Sequence, residues 1–341
     1  MDQHLLIAKW LQGQIPGVFL PWQIDLDLTN ICNQDCYYCN TVDFRTNVPV
    51  YQDRLKYVRL IDQLANWRSH SPNSVGTVSN VIFTGGGEPT LLPGFEQIIE
   101  QTVDSGFTPA MNTNGTKLHK ILNVPADKLK RFAYLGLDID SAIPETSEEI
   151  RRSKMKDSPF DRVKATATEL GSMGVPMDIK ALLMPQNTTP HEIDALVRYA
   201  KDTHARSIHF RPVVLEGKAF QVTQEILDKI QAASQRYSVP VEIAKGRYEP
   251  RQYKRCHQFF LFPSFSADGN IYLCCEYKGR PDLCIGSWEG EADWRDIWCG
   301  DRHREIYDRF NTAFCKPCRP NTTNNKIELF LNGTNRDIGF I

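Results

Sequence analysis

Between about residue 22 and residue 215 the apolar residues keep changing period, and that change constrains the fold more than any other feature of the chain. Residues 23–28 alternate, with Ile24, Leu26 and Leu28 on one side, as a half-buried strand does. Residues 57–67 instead place Val58, Ile61 and Leu64 on one helical face. The strand pattern returns at 81–84, 108–112, 132–140, 177–184 and 207–213. Helical stripes fall between these segments: Phe95, Ile98, Ile99 and Val103, then Phe160, Val163, Ala167 and Leu170, then residues 193–200. Strict alternation of this kind predicts parallel strands joined by crossover helices. Six units rather than eight predict an α/β fold with an open, partial (β/α)6 barrel over residues 21–215. Residues 1–20 read as an N-terminal capping helix, and 216–247 as a connecting helix centred on 222–237. Residues 248–341 change character, with aromatics, cysteines and turns at Asp268-Gly269 and Asn332-Gly333, and read as a small cysteine-rich domain.

Ligands of such folds sit at the C-terminal ends of the strands. Four unusual segments fall there: the loop Cys32, Cys36 and Cys39; the run Gly85-Gly86-Gly87; residues 112–115; and residues 138–141. The loop offers three thiolates, one fewer than a cubane iron–sulfur cluster takes, which leaves one iron open for chemistry. Zinc fits these three poorly, because structural zinc takes four ligands and no histidine lies near. Asn33, Gln34 and Asp35 make the loop too polar for plain buried thiols.

Of ten cysteines, three lie in this loop and seven lie after residue 255. The N-terminus lacks the basic start, long apolar stretch and cleavage site of a secretory signal. Both points predict metal binding in a reducing, cytoplasmic compartment rather than a disulfide framework. Net charge is -1, and Lys and Arg form no dense cluster, so nucleic acid is not an expected partner. Mean hydropathy is -0.40 and no apolar run approaches spanning length, so a membrane is not expected either.

The C-x3-C-x2-C loop after the first strand, joined to Gly-Gly-Gly-Glu-Pro at residues 85–89 after the second, resembles the radical S-adenosylmethionine superfamily. The resemblance covers roughly residues 20–215. It implies a 4Fe–4S cluster on Cys32, Cys36 and Cys39, whose open iron is chelated by the amino and carboxylate groups of S-adenosylmethionine. It implies cofactor contacts from Tyr38, Gly85, Gly86, Gly87, Glu88, Asn112, Asp138, Asp140 and Ser141, with Asp138 standing where the family commonly has serine. Arg151 and Arg152 both resemble a family arginine that pairs with the cofactor carboxylate, and both remain candidates. The chemistry so implied is a 5′-deoxyadenosyl radical that abstracts hydrogen from a C–H bond.

Cys256, then twelve residues, Gly269, four residues, Cys274, and finally Cys315-Lys-Pro-Cys318 resemble the auxiliary-cluster region of one subgroup. The full version is called SPASM and the shortened one twitch; with no cysteine after Cys318 this chain resembles the shortened one. That implies a second 4Fe–4S cluster on Cys256, Cys274, Cys315 and Cys318. On spacing alone an all-thiolate zinc site fits equally well. Cys275, Cys284 and Cys299 are left over, and Cys284 is a possible replacement for one of the four.

A cluster closed by four thiolates relays electrons, which favours a two-electron oxidation. About twenty residues precede the first strand, which leaves no room there for a peptide-recognition domain and points to a small polar substrate: a sugar, an aminocyclitol or a nucleoside. Lys180, His209, Arg211 and Glu216 are polar candidates for a base near strand ends. An external one-electron reductant of flavodoxin or ferredoxin type completes the expected partners. The alternatives are redox-neutral decarboxylation, epimerisation or dehydration, modification of a peptide, or, outside catalysis, an electron carrier or a zinc-stapled binding module.

Overall fold

Val81, Ile82 and Phe83 are consecutive and all buried, which requires a strand covered on both faces. A parallel sheet flanked by helices meets that requirement. The computed structural model describes residues 2–70, 73–244, 248–291 and 293–333. Strands β1 (Gln23–Asp27), β2 (Asn80–Thr84), β3 (Thr108–Thr113), β4 (Tyr134–Asp138), β5 (Met177–Leu183) and β6 (Ser207–Pro212) lie side by side in chain order. Every neighbouring pair is parallel. The expected strands and their order are thus all present.

The crossovers follow the helical stripes. The first helix of the chain, α1 (Gln3–Leu11), is capped by the Asp2 carboxylate and precedes the sheet. Crossover helices α2 (Arg54–His70) and α3 (Phe95–Asp104) follow β1 and β2. Helices α4 (Pro144–Arg151) and α5 (Phe160–Ser172) both lie between β4 and β5, and α6 (Pro190–Asp202) lies between β5 and β6. The next helix, α7 (Gln224–Tyr237), was expected as a connector and is a further crossover. It leads into β7 (Val241–Ile243), a seventh parallel strand beside β6. The sheet therefore has one more unit than the sequence pattern predicts. Its outer strand β7 pairs on one side only among the described residues.

The C-terminal region does not stand apart. Its strand β8 (Ser264–Phe265) pairs in parallel with Asp25 and Leu26 of β1, then turns at Asp268-Gly269 into β9 (Asn270–Tyr272), which pairs with β10 (Cys284–Ser287). Among the described residues one sheet of ten strands results. An unpaired β1 edge beside an open cavity would expose backbone donors and acceptors, and the hairpin satisfies them. One continuous apolar cluster runs from Ile7 to Ile327. Trp288 packs on Tyr57 at 5.4 Å between ring centres, and Trp294 on Trp67 at 5.0 Å. Helix α1 packs against the last helix, α8 (Asn321–Leu331). The Asn332-Gly333 turn lies at the edge of the described residues.

A buried ion pair joins the two regions. Lys278 Nζ lies 2.6 Å from Asp27 Oδ2, with the side chains 4% and 0% exposed. Burial pushes the Asp27 carboxyl up, and the Lys278 ammonium pulls it back down. Breaking one half of such a pair strands a charge in the interior. Lys278→Met should therefore cost about 3–5 kcal/mol in chemical denaturation, and adding Asp27→Asn should recover much of the loss.

Candidate functional site

The ends of β2 to β6 contribute Thr84, Asn112, Thr113, Asp138, Leu182, Arg211 and Pro212 to one cavity of about 350 Å3. Cys32, Cys36 and Cys39 line it, and so do Gly85, Gly86, Gly87 and Glu88. The convergence expected from the strand pattern is present for these segments.

The cysteine loop is irregular backbone, held by neighbours rather than by its own ladder. Gly87 N donates to Thr29 O at 2.9 Å, and Glu88 N donates to Ile31 O at 2.8 Å. A Cβ built on Gly87 would stand 2.1 Å from the Ile31 carbonyl oxygen, and one on Gly86 would stand 2.4 Å from Asn30 Oδ1. These glycines are therefore required where the two loops touch, before any ligand arrives. Glu88 completes the joint. Its Oε1 accepts from Thr90 N, Thr90 Oγ1 and Thr113 Oγ1 at 3.1, 2.6 and 2.6 Å, and its Oε2 accepts from Asn114 N at 2.7 Å. Burial pushes its carboxyl up, and these donors pull it down. The contacts Glu88 makes hold the loop. Arg45 adds a brace, donating to Gln34 O and to Asp35 Oδ1.

Burial pushes the Cys32 thiol up to about 11 and raises that of Cys36. Thiolates here need a compensating positive charge, which a metal centre supplies.

Behind the cavity lies a second polar cluster. The Tyr38 hydroxyl donates to Asp140 Oδ2 at 2.5 Å, and Arg151 Nη2 meets the same oxygen at 2.8 Å. Leu182 N donates to Asp140 Oδ1 at 2.8 Å. Burial works against the Arg151 charge, and Asp140 more than restores it, so its pKa lies well above the ordinary value. Tyr38 and Arg151 line the cavity while Asp140 stands behind them as their anchor. Two polar atoms on lining residues, Asn112 Oδ1 and Arg151 Nε, are buried without a hydrogen-bond partner among the described residues.

Three expected cofactor contacts stand outside the lining. Asp140 is consumed by its anchoring role. The Ser141 hydroxyl donates to Glu192 Oε2 at 2.6 Å and is buried there. Arg152 ends α4 in a left-handed conformation, φ 48°, and its exposed side chain lies over the Tyr37 ring at 5.7 Å. The structure thus brings Arg151 to the cavity and turns Arg152 away. Of the base candidates only Arg211 lines the cavity. Lys180 pairs with Asp178, His209 pairs with Glu242, and Glu216 lies exposed after β6.

A second, smaller cavity is lined by Cys256, Cys274, Cys315 and Cys318. Burial raises all of those for which a shift is resolved, Cys256, Cys274 and Cys315, with neighbouring thiols adding to the rise. The three leftover cysteines lie elsewhere: Cys275 near Asp25 and Arg319, Cys284 against Gly286 O, and Cys299 against Phe19 O. Among the described residues no group of three or more His, Cys, Asp or Glu closes on one point as a single ion requires. Glu276 and Lys316 line both cavities, and Asn40 Nδ2 donates to Glu276 Oε2 at 2.8 Å. The sequence reading missed both residues, although each sits within two positions of a proposed ligand.

The model of the Radical SAM superfamily matches residues 26–200, just over half of the chain. A curated relative, the "S-adenosylmethionine-dependent nucleotide dehydratase" of Selenomonas ruminantium, is 28% identical over 128 residues, which is 37% of this chain and 42% of that protein. The match spans less than half of the relative's own length. Among solved structures, Streptococcus suis SuiB bound to S-adenosylmethionine is 15% identical with a TM-score of 0.63, over 87% of this chain and 69% of that one. SuiB bound to precursor peptide SuiA gives 14% and 0.65, over 90% and 70%. Native anSMEcpe with bound AdoMet gives 15% and 0.58, over 91% and 96%. At such identities these structures share the fold. No described helix is long and apolar enough to cross a membrane.

Gly87→Ala should break the joint between the loops. Its Cβ has only backbone to displace, so a loss of about 2–4 kcal/mol is expected, with iron retention after reconstitution falling in parallel. Gly85→Ala, whose Cβ meets nothing closer than 3.5 Å, should keep most of both.

Proposed function

The chain belongs to the radical SAM superfamily, and from that membership we propose that it oxidises a small hydroxylated substrate by hydrogen abstraction, with a second iron–sulfur centre as electron acceptor. When bound, a 4Fe–4S cluster and S-adenosylmethionine supply a 5′-deoxyadenosyl radical that takes a hydrogen atom from a C–H bond. Cys32, Cys36 and Cys39 would hold that cluster. Tyr38, Asn112 and Arg151, with the glycine loop, would hold the cofactor beside it. The unpartnered Asn112 and Arg151 atoms fit a polar ligand of this kind. Arg151, fixed by Asp140, is suited to pair with a carboxylate. The apolar walls Leu182, Val213 and Val214 keep water from the reacting carbon.

The observation that carries the oxidation is the shared wall. Cys256, Cys274, Cys315 and Cys318 gather in one cavity, and Glu276 and Lys316 border both that cavity and the one above the barrel. Four thiolates would leave no iron open, so such a cluster relays an electron rather than binding substrate. A substrate in the upper cavity then lies next to an electron acceptor. The dehydratase relative favours a second outcome at the same site: loss of water from a nucleotide.

Anaerobic reconstitution should give about eight irons per chain, and Cys256→Ala with Cys318→Ala should lower this to about four. That double variant should still cleave S-adenosylmethionine, whereas Cys36→Ala should not. Incubation with dithionite and a panel of sugars, nucleotides and peptides, scored for 5′-deoxyadenosine, identifies the substrate class. Mass spectrometry of the product separates loss of two hydrogens from loss of water. Unchanged iron content in the double variant, or a product only of the peptide arm, overturns this reading.

A further inference from the structure

The acids around the upper cavity are almost all engaged. Glu88 accepts from four donors, Asp140 holds Tyr38, Arg151 and Leu182 N, and Glu276 accepts from Asn40. Asp138 differs. It is the last residue of β4, its side chain lines the cavity, and no described group donates a hydrogen bond to its carboxylate. We propose that Asp138 is the base that removes the proton from a substrate hydroxyl after the hydrogen on the same carbon has been abstracted. The assignment rests on the reading of the site as a radical enzyme acting on a hydroxylated substrate.

Charged groups face Asp138 from every side. Arg151 of α4 and Arg211 of β6 favour its anion, while Asp140 beyond β4 and Glu88 of the glycine loop oppose it. Lys180 of β5 also feels its charge. Burial is the largest influence and raises the carboxyl to about 6. Above that pH it is ionised and able to accept a proton, which places it in the range of a working base near neutrality.

The chemistry balances without an added oxidant. The C–H bond breaks homolytically, and its hydrogen atom joins the 5′-deoxyadenosyl radical to give 5′-deoxyadenosine. A hydroxyl on a radical carbon is far more acidic than an ordinary alcohol. Its O–H bond then breaks heterolytically: the proton bonds to an Asp138 oxygen, and the electron pair stays on the substrate oxygen. The products are a neutral carboxylic acid and a ketyl radical anion, whose charge Arg151 and Arg211 stabilise. Loss of one electron from that anion to the second iron–sulfur centre would give the carbonyl product, whereas expulsion of hydroxide from its neighbouring carbon, which takes the Asp138 proton and leaves as water, would give the dehydrated radical.

The test uses reconstituted holoenzyme, S-adenosylmethionine, dithionite and the four ribonucleoside triphosphates deuterated on the ribose. In Asp138→Asn, affinity for S-adenosylmethionine should stay within about threefold and deuterium transfer into 5′-deoxyadenosine within about tenfold, while product falls at least about 100-fold. Asp138→Glu should restore part of the product, which guards against a mere folding defect. The unaltered enzyme should lose product formation as pH falls through about 6, because the raised carboxyl takes up its proton there, and Asp138→Asn should lack this limb. Product within about threefold of the unaltered enzyme overturns the assignment, and so does a loss of cofactor affinity beyond about tenfold, which would make Asp138 a cofactor contact. If none of the four triphosphates transfers deuterium, the nucleotide reading falls by itself. Unchanged cofactor affinity in Asp138→Asn then still supports a substrate-facing carboxylate, and its loss overturns one.

Discussion

The contact between the glycine loop and the cysteine loop is the constraint on which the rest depends. A loop that brings three cysteines to one cavity within eight residues is neither strand nor helix, so its backbone groups need partners from outside. The amides of Gly87 and Glu88 supply two of them, to Thr29 O and Ile31 O. That approach is possible only because positions 86 and 87 lack a Cβ. Glu88 then ties the same loop to the end of β3 through Thr113 and Asn114. Three strand ends are thus locked together by backbone contacts and one carboxylate.

The buried carboxylates show a division of labour set by partner count. Glu88 has four donors and serves structure. Asp27 has Lys278 and joins the barrel to the C-terminal region. Asp140 has Arg151, Tyr38 and an amide, and fixes two cavity side chains from behind. Each is desolvated, and each is matched by donors or an opposite charge, as burial of a charge demands. Asp138 is desolvated with no donor to its carboxylate among the described residues, which is costly unless a ligand completes it. The same residue type, at neighbouring positions of one strand end, is thereby driven to different chemistry.

The parallel sheet and its crossover helices were legible because their signal is local. Each strand's apolar run and each helix's stripe lies within a dozen residues, and the cysteine and glycine motifs follow strands directly. What was not legible depends on distant pairing. Strand β7 is only three residues long and pairs through β6, so its period carries no signal. The docking of Ser264–Phe265 on β1 joins segments far apart in the chain, and nothing in either marks the other. The choice between Arg151 and Arg152 turned on where α4 ends: the left-handed conformation at Arg152 rotates its side chain outward. Asp140 and Ser141 were plausible cofactor contacts by position, but one pairs with α4 and the other with α6, which residue order does not reveal.

Glu276 and Lys316 show how the two regions combine into one site. Neither belongs to the barrel. Both reach the upper cavity because β8 extends the barrel sheet past β1 and carries the cysteine-lined region over the strand ends. The Asp27–Lys278 pair and the Trp288 and Trp294 contacts hold that extension rigidly. A separate, flexibly tethered domain would leave the distance between the two cavities variable. Continuity of the sheet makes it a fixed property of the fold, and short, constant separation is what electron transfer between a bound substrate and a second centre requires. The paired edge of β1 is therefore as much a part of the proposed chemistry as the thiols themselves.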